Sequence, residues 1–459
     1  MALRRLTQSG SWGFDFFVLS LCVLTLASLA MLVQPQSDTW WLLRAGETIV
    51  EQGTIPLVDS YSWTVPGVYW PNHEWLTEVL MYCAYALGGL KLVTLVFAVC
   101  IFGTWSGVYT LCDGAPRWRC AILGVGIAAA SMGWALRPQI ISLALFVLVL
   151  HLIFTRRWRW LPPVMLLWAN MHAGVVAGCI VLAIATILYG LNSKRDGREM
   201  LVVSSISGVL TLINPLGISL WLYVSRSVTD DTRRLIQEWQ APSLGDPMSY
   251  PFILLCALTG FTAWHFRRTW SSPRDRTLLI GSLVFAVLAW KSVRHTAFFE
   301  LMAWPLVSRW CSHTRTRTEV SARVGRLHQV FTAVAVVIAV SAVVLRMLWW
   351  RPGLSQPLIQ AITGCAPRLF NSYDIGGELI WFTRSSPVFI DNRQDPYPHS
   401  LVAESMLVEQ SGKYHELFER YEIRCAVIPE SSGLAHALRN DGWKLKTHDG
   451  GLTVWELSP

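Results

Sequence analysis

The sequence predicts an all-α polytopic membrane bundle of about 11 transmembrane helices, followed by a small C-terminal extracytoplasmic α/β domain. Three observations carry this. Hydrophobic residues make up 53% of the 459 residues and the mean hydropathy is +0.40, too apolar for a soluble chain of this size. Apolar runs of roughly 17–25 residues recur, each long enough for a helix that satisfies its own backbone across a bilayer. The last stretch of about a hundred residues loses these runs and alternates short strand-like and helix-like segments instead.

Composition narrows the function classes. The net charge of +8 does not indicate nucleic-acid binding, because the Arg and Lys residues cluster in short loops between apolar runs, where they set topology. The 24 Trp residues fit extensive surface at the membrane–water interface. Most of the 10 Cys residues lie inside apolar spans, where they pack as small hydrophobes. Cys365 and Cys425 alone fall in the soluble part; they could pair, but sequence carries no distance between them. No cleavable signal peptide is expected: Arg4 and Arg5 precede a first span too long for one, and no small-residue cleavage site follows it.

Charge fixes sidedness. Residues 1–13 are expected in the cytoplasm and the first span covers about 14–34. A first outer loop, 35–89, holds a surface helix near 39–52, a Pro- and Trp-rich turn region, and a short apolar helix from His73-Glu74-Trp75-Leu76 to Gly88-Gly89. That last helix reads as re-entrant or juxtamembrane, because only then do Arg117, Arg119 and the 156–159 basic patch all fall inside. The following spans are expected at about 90–112, 119–135, 140–154, 161–171, 174–191, 200–224, 251–266, 277–290, 296–310 and 328–349. Asn214-Pro215-Leu216-Gly217 should kink the one at 200–224. The domains are thus 1–350, transmembrane with its outer loop, and 351–459, outside. In the latter, 387–390 and 425–428 read as strands, 415–421 and 434–438 as helices, and 445–457 as a hairpin around Asp449-Gly450-Gly451. Asn371-Ser372-Tyr373-Asp374 and Asp391-Asn392-Arg393 read first as turn chemistry and second as ligand-holding strand ends.

The candidate site begins with Ser37-Asp38-Thr39-Trp40-Trp41. Asp38 is a carboxylate where the chain leaves the first span, and an acid at that depth is costly without a partner or a task. The plainer reading is a cap for the next helix, with Thr39 beside it. That helix puts Leu42, Ala45 and Ile49 on one side and Arg44, Glu47 and Glu51 on the other, so it should lie flat on the surface. The exceptions to the positive-inside pattern are also informative. Arg137, Lys291, Arg294 and His295 are expected at outer span ends, as are Asn170 and His172 after a short span. Singly, each reads as snorkelling or an ion pair. Jointly, cations opposite a carboxylate suit a phosphate-bearing substrate and a base that deprotonates an attacking hydroxyl.

These stretches resemble a known superfamily. The run from Asp38 to Pro56, then Asn72-His73-Glu74-Trp75-Leu76, Arg137-Pro138-Gln139, 167–174, Asn214-Pro215-Leu216-Gly217 and Arg294-His295 are similar to bacterial GT-C-like membrane glycosyltransferases, over residues 1–310. The resemblance implies a polyprenyl-phosphate-linked sugar donor, a lipid, glycan or protein acceptor on the outer face, inverting transfer, and a multi-pass protein of the inner (plasma) membrane. GT-C enzymes carry an acidic catalytic residue early in the first outer loop, and Asp38 occupies that place. Many have paired acids there. Here Ser37 and Thr39 flank a single Asp, so a second acid would come from Glu47, Asp59 or Glu74.

On this reading Asp38 is the base, with His73 and Glu74 orienting the acceptor or backing it up. Arg137, Arg294 and Lys291, with His295, hold the lipid phosphate, and His172 and Asn170 contact the sugar or phosphate. No cofactor is demanded. A divalent metal is left open, since Asp38, Glu74 and His73 could ligate one without any tight spacing that requires it. Two alternatives remain: a scaffold that binds lipid-linked sugar without chemistry, and a transporter of an anionic solute, for which no internal repeat is evident.

Overall fold

The computed structural model describes residues 18–131, 133–227, 235–312, 353–365 and 368–457, with positions 337 and 341 besides. The expected cytoplasmic 1–13, the basic loop 315–326 and, apart from positions 337 and 341, the span at 328–349 lie outside the described residues. Backbone contacts divide the chain into two compact units. One comprises Met1–Gln34, Leu90–Gly217 and Glu238–Trp350; the other comprises Pro35–Gly89, Ile218–Gln237 and Arg351–Pro459.

The first unit is helical. It contains α1 (Val18–Met31), the second half of α3 (Trp75–Leu111), α4 (Pro116–Ser131), α5 (Pro138–Phe154), α6 (Leu161–Met171), α7 (Val175–Asn192), α8 (Lys194–Leu210), α10 (Tyr250–His265), α11 (Pro273–Lys291) and α12 (Thr296–Val307). Proline opens several of them; in α5, Pro138 takes the first helical position, where its missing N–H costs nothing. Edge-to-face aromatic pairs join α5, α11 and α12: Phe146 lies 5.5 Å from Phe285 and 5.0 Å from Phe298, centroid to centroid. Among the described helices, α3 and α7 are long and apolar enough to cross a membrane; α1 and α5 are apolar and shorter.

Of two expected breaks, one forms as expected and one is revised. The helical run Trp75–Leu111 is two helices that meet at Gly88-Gly89, where the first was expected to stop: both residues are non-helical, and Gly89 takes φ 63° and ψ −164°, a region open to glycine. The span expected at 200–224 is not one kinked helix. It ends at Leu210, and α9 (Ser219–Ser227) starts after a turn. There Asn214 donates from Nδ2 to the Thr211 carbonyl at 2.7 Å and accepts from the Leu216 N–H at 2.8 Å. Side-chain bonds to the local backbone replace the helical ladder, so the chain breaks rather than bends.

The second unit combines α2 (Ser37–Gln52), the first half of α3, α9 and a C-terminal mixed sheet. The strands are β1 (Leu369–Asn371), β2 (Cys425–Pro429), β3 (Lys444–Asp449) and β4 (Leu452–Glu456), in the order β1-β2-β4-β3. β1 runs parallel to β2; the other pairs are antiparallel. The expected strand at 425–428, the helices at 415–421 and 434–438 and the hairpin at 445–457 all form. The expected strand at 387–390 does not. Val388 makes only an isolated parallel bridge to Ser62, because the buried run Val388-Phe389-Ile390 docks on the first-loop segment instead of the sheet. Sequence reading missed β1 and the helices Gln356–Thr363, Gly376–Phe382 and His399–Ser411.

Cys365 and Cys425 are bonded, with their Cα atoms 5.9 Å apart and 60 residues between them in sequence. The bridge ties the chain after helix Gln356–Thr363 to β2. Replacing both cysteines with alanine is expected to cost about 2–4 kcal/mol. The thermal midpoint of the purified protein should fall, and reductant should then have no further effect. An unchanged midpoint would show that the bridge adds nothing to stability.

Candidate functional site

Asp38 lies in the first turn of α2, but it is not the cap. The N-cap position is Gln36, whose backbone N–H donates to Thr39 Oγ1 at 3.0 Å. This leaves the Asp38 carboxylate for tertiary contacts, favoured where it sits by the positive end of the helix dipole. Its Oδ1 accepts from Trp41 Nε1 at 3.4 Å and from Nδ2 of Asn392. Tyr373 and Asp374 lie within reach of its charge: burial, then the Asp38 charge, hold the Tyr373 phenol protonated. Burial, then the neighbouring Asp38 charge, raise the Asp374 carboxyl above the ordinary range, although that residue is exposed overall.

Helix α2 leaves Glu51 exposed and Arg44 partly exposed, as its spacing suggests, but buries Glu47 along with its apolar side. Trp40, Trp41, Leu42, Leu43, Ala45, Glu47 and Ile49 are all buried. Helix Gly376–Phe382 packs on it: the Phe382 and Trp40 rings lie 4.7 Å apart, tilted by 60°, and the Gly377 N–H donates to Ser37 Oγ at 3.1 Å. A Cβ at Gly377 would meet the Ser37 carbonyl oxygen at 2.1 Å, so only glycine permits this approach. Glu47, 5% exposed, is held between Arg44 at 2.5 Å and Arg384 at 3.0 Å. Two partnered arginines explain how a charge expected at the surface is tolerated inside.

Of the other acids considered, Asp59 is fully buried and committed. It accepts from Arg393 Nη2 and from Ser62 Oγ at 2.7 Å. Arg393 also donates from Nη2 to Asp391 Oδ2 at 2.7 Å and from Nε to Asp391 Oδ1 at 2.8 Å, and its guanidinium lies over the rings of both Tyr61 and Trp70. His73 and Glu74 pair loosely, Nε2 to Oε1 at 3.6 Å. The His73 ring sits 4.7 Å from Tyr223, and its Nδ1 is 3.1 Å from the Pro71 carbonyl. Among the described residues, no group of three or more His, Cys, Asp or Glu side chains is arranged to hold a metal ion.

In the other unit, Arg137 and Arg294 line one cavity of about 250 Å³ together with Glu238, Gln139 and Glu300. Arg137 Nη2 donates to Glu238 Oε1 at 2.6 Å. Burial pushes the Glu238 carboxyl up, and the Arg137 charge and hydrogen bond, with Arg294 beyond, more than offset it, so the carboxyl titrates below its usual range. Glu238 is brought there because the 238–240 segment is pinned to the turn before α12: Ser292 Oγ donates to the Glu238 carbonyl at 3.2 Å, and the Val293 N–H to the Gln240 carbonyl at 2.9 Å. Arg294 lies over the Trp239 ring at 4.8 Å.

The remaining candidates separate from this cavity. His295 was expected as a cation; burial, then the adjacent Arg294 charge, push its pKa down to about 4, so it is neutral at pH 7. Lys291 is exposed and does not line the cavity. His172 is buried, and its Nδ1 accepts from the Gly174 N–H at 2.9 Å while lying 3.1 Å from Ser142 Oγ. Asn170 donates to the carbonyls of Leu166 at 2.9 Å and Ile213 at 2.8 Å. These contacts shape the α6–α7 turn and do not bring either residue into the cavity. Glu238 was not singled out from sequence, and Asp374 and Asn392 lie in the two stretches read first as turns and only second as ligand-holding. Each sits in a loop whose partner is remote in sequence, and the only available signal was polar residues at turns.

No protein-family model matches the chain, and no curated protein matches it. Solved structures do. The oligosaccharyltransferase AglB from Archaeoglobus fulgidus, in complex with an inhibitory peptide and a dolichol-phosphate, superposes with a TM-score of 0.53 at 11% identity, covering 89% of this chain and 69% of that one. ArnT from Cupriavidus metallidurans bound to undecaprenyl phosphate gives 0.50 at 13% identity, covering 97% and 98%. Apo ArnT gives 0.51 at 14%, covering 98% and 100%. At such identities the likeness speaks for the fold alone: across nearly its whole length this chain has a fold similar to those of ArnT and AglB.

Proposed function

We propose that the protein is a membrane glycosyltransferase that moves a sugar from a polyprenyl-phosphate donor to an acceptor on the extracytoplasmic face. The observation that carries this reading is the Asp38 carboxylate, set in the first turn of α2 and held by Trp41 and Asn392, within a fold whose solved examples bind undecaprenyl phosphate and dolichol-phosphate. The Cys365–Cys425 bridge supports an oxidising, extracytoplasmic setting for 351–459. About eleven spans, with the N-terminus inside, remain the topology that the basic loops favour.

In this reaction Asp38 takes the proton of the acceptor hydroxyl. The acceptor oxygen attacks the anomeric carbon, the bond to phosphate breaks with its electron pair leaving on phosphate, and the configuration inverts. Arg294 is the chief phosphate ligand, because Arg137 is already neutralised by Glu238. His73 and Glu74 serve acceptor binding. Transfer from a radiolabelled polyprenyl-phosphate sugar pool by purified protein in detergent tests the reading. Arg294→Ala is expected to raise the KM for the lipid donor at least about tenfold, the loss of one charge-assisted contact. An unchanged KM would remove Arg294 from the phosphate, and lipid binding by the wild type without turnover would favour a non-catalytic scaffold.

A further inference from the structure

We propose that Asn392 is the positioning residue of Asp38, so that the C-terminal segment, and not the first loop alone, completes the base. This rests on the reading of Asp38 as the base of a transfer reaction. The amide Nδ2 of Asn392 donates to Asp38 Oδ1, the oxygen that also accepts from Trp41. A carboxamide suits this task. It donates to the charged carboxylate without competing for the proton, and it adds no charge beside Asp374 and Tyr373, the titratable groups that face Asp38.

The segment that presents Asn392 is held on both sides. Asp391 and Arg393 are fully buried in their ion pair, which extends to Asp59 of the first loop. Upstream, the Asn371 side chain donates to the Ile390 carbonyl at 2.7 Å and accepts from the Phe389 N–H at 2.8 Å. Below, Gly377 lets helix Gly376–Phe382 reach Ser37. A side chain that served only as a tether would need none of this rigidity at one amide. Asn392 Oδ1 is buried and has no hydrogen-bond partner among the described residues. Once Asp38 has taken the acceptor's proton, rotation of the amide would let that oxygen accept from the new carboxyl O–H. Asn392 itself takes part in no bond change; it holds the carboxylate before proton transfer and its acid afterwards.

The test reads Asp38 directly as well as through turnover. Full-length wild type, Asn392→Ala and the isosteric Asn392→Asp are labelled across pH with a water-soluble carbodiimide and an amine, which together capture protonated carboxyls, and the Asp38 peptide is quantified by mass spectrometry. Removing the donor is expected to raise the labelling midpoint of Asp38 by about one pH unit, since the charged form loses a hydrogen bond. The aspartate variant should raise it at least as far by like-charge repulsion, with a thermal midpoint that falls at neutral pH and recovers as the pH is lowered. The acid limb of the pH–rate profile should move in the same direction. An unchanged labelling midpoint in both variants overturns the proposal. A shifted midpoint in a protein whose wild type transfers no sugar upholds Asn392 as the group that sets Asp38 and overturns the transferase reading instead.

Discussion

Replacing Asp38 with asparagine is expected to lower sugar transfer about a thousandfold, in the range associated with removing a general base. The side chain keeps its size and can still accept from Trp41 and pair with Asn392 by exchanging donor and acceptor ends. What it loses is the ability to take the acceptor's proton. The effect should therefore fall on kcat, with the KM for the lipid donor little changed and with an unaltered thermal midpoint. Full activity in Asp38→Asn would sink the enzymatic mechanism while leaving the fold untouched. A loss confined to KM would move Asp38 from the reacting hydroxyl to substrate binding.

Arg393→Met is the second large expectation, and it concerns stability. Arg393 sits with 0% of its side chain exposed, against Asp59 and Asp391, which are equally buried. Burial opposes its charge, but Asp391, Tyr397 and Asp59 more than compensate, so it is held protonated even more firmly than usual. Methionine would fill much of the space beside Tyr61 and Trp70 but leave two carboxylates without their cation. Breaking a buried pair in this way costs about 3–5 kcal/mol, mostly the penalty of the stranded charge. Thermal unfolding should show a much lower midpoint. Limited proteolysis should cut within 53–72 sooner, because Asp59 there and Arg393 in the C-terminal segment stabilise one unit. The triple replacement of Arg393, Asp59 and Asp391 by apolar residues should recover part of the loss. A wild-type midpoint in Arg393→Met would mean that the first loop and residues 351–459 do not unfold together.

Several elements were legible from sequence because their signals are local. Hydrophobic runs mark helices by length, and Pro138, Pro251 and Pro273 stand in the opening turns of α5, α10 and α11. The hairpin around Asp449-Gly450-Gly451 follows from residues that accept positive φ, as Gly450 and Gly451 do. Val388-Phe389-Ile390 shows the limit. Its composition reads as a strand, yet whether such a run joins a sheet depends on which edge is free, and here the first loop claimed it. Glu47 is a similar case: its spacing places it opposite the apolar side of α2, and its burial rests on Arg384, 337 residues away, as well as on the local Arg44.

By itself the sequence determined the helical bundle with its small α/β appendage, the early acid Asp38 and the cations Arg137 and Arg294, since apolar length, charge placement and residue chemistry are properties of short stretches. Tertiary structure alone decided which of these groups are engaged and with whom. It neutralised Arg137 with Glu238, made His295 uncharged by burying it beside Arg294, and committed Asp59 to Arg393. It also brought Asn392 to Asp38 across more than three hundred residues of chain. The physical reason is the same in each case. The charge state and orientation of a side chain depend on the dielectric and the partners within a few ångströms, and folding draws those partners from anywhere along the chain.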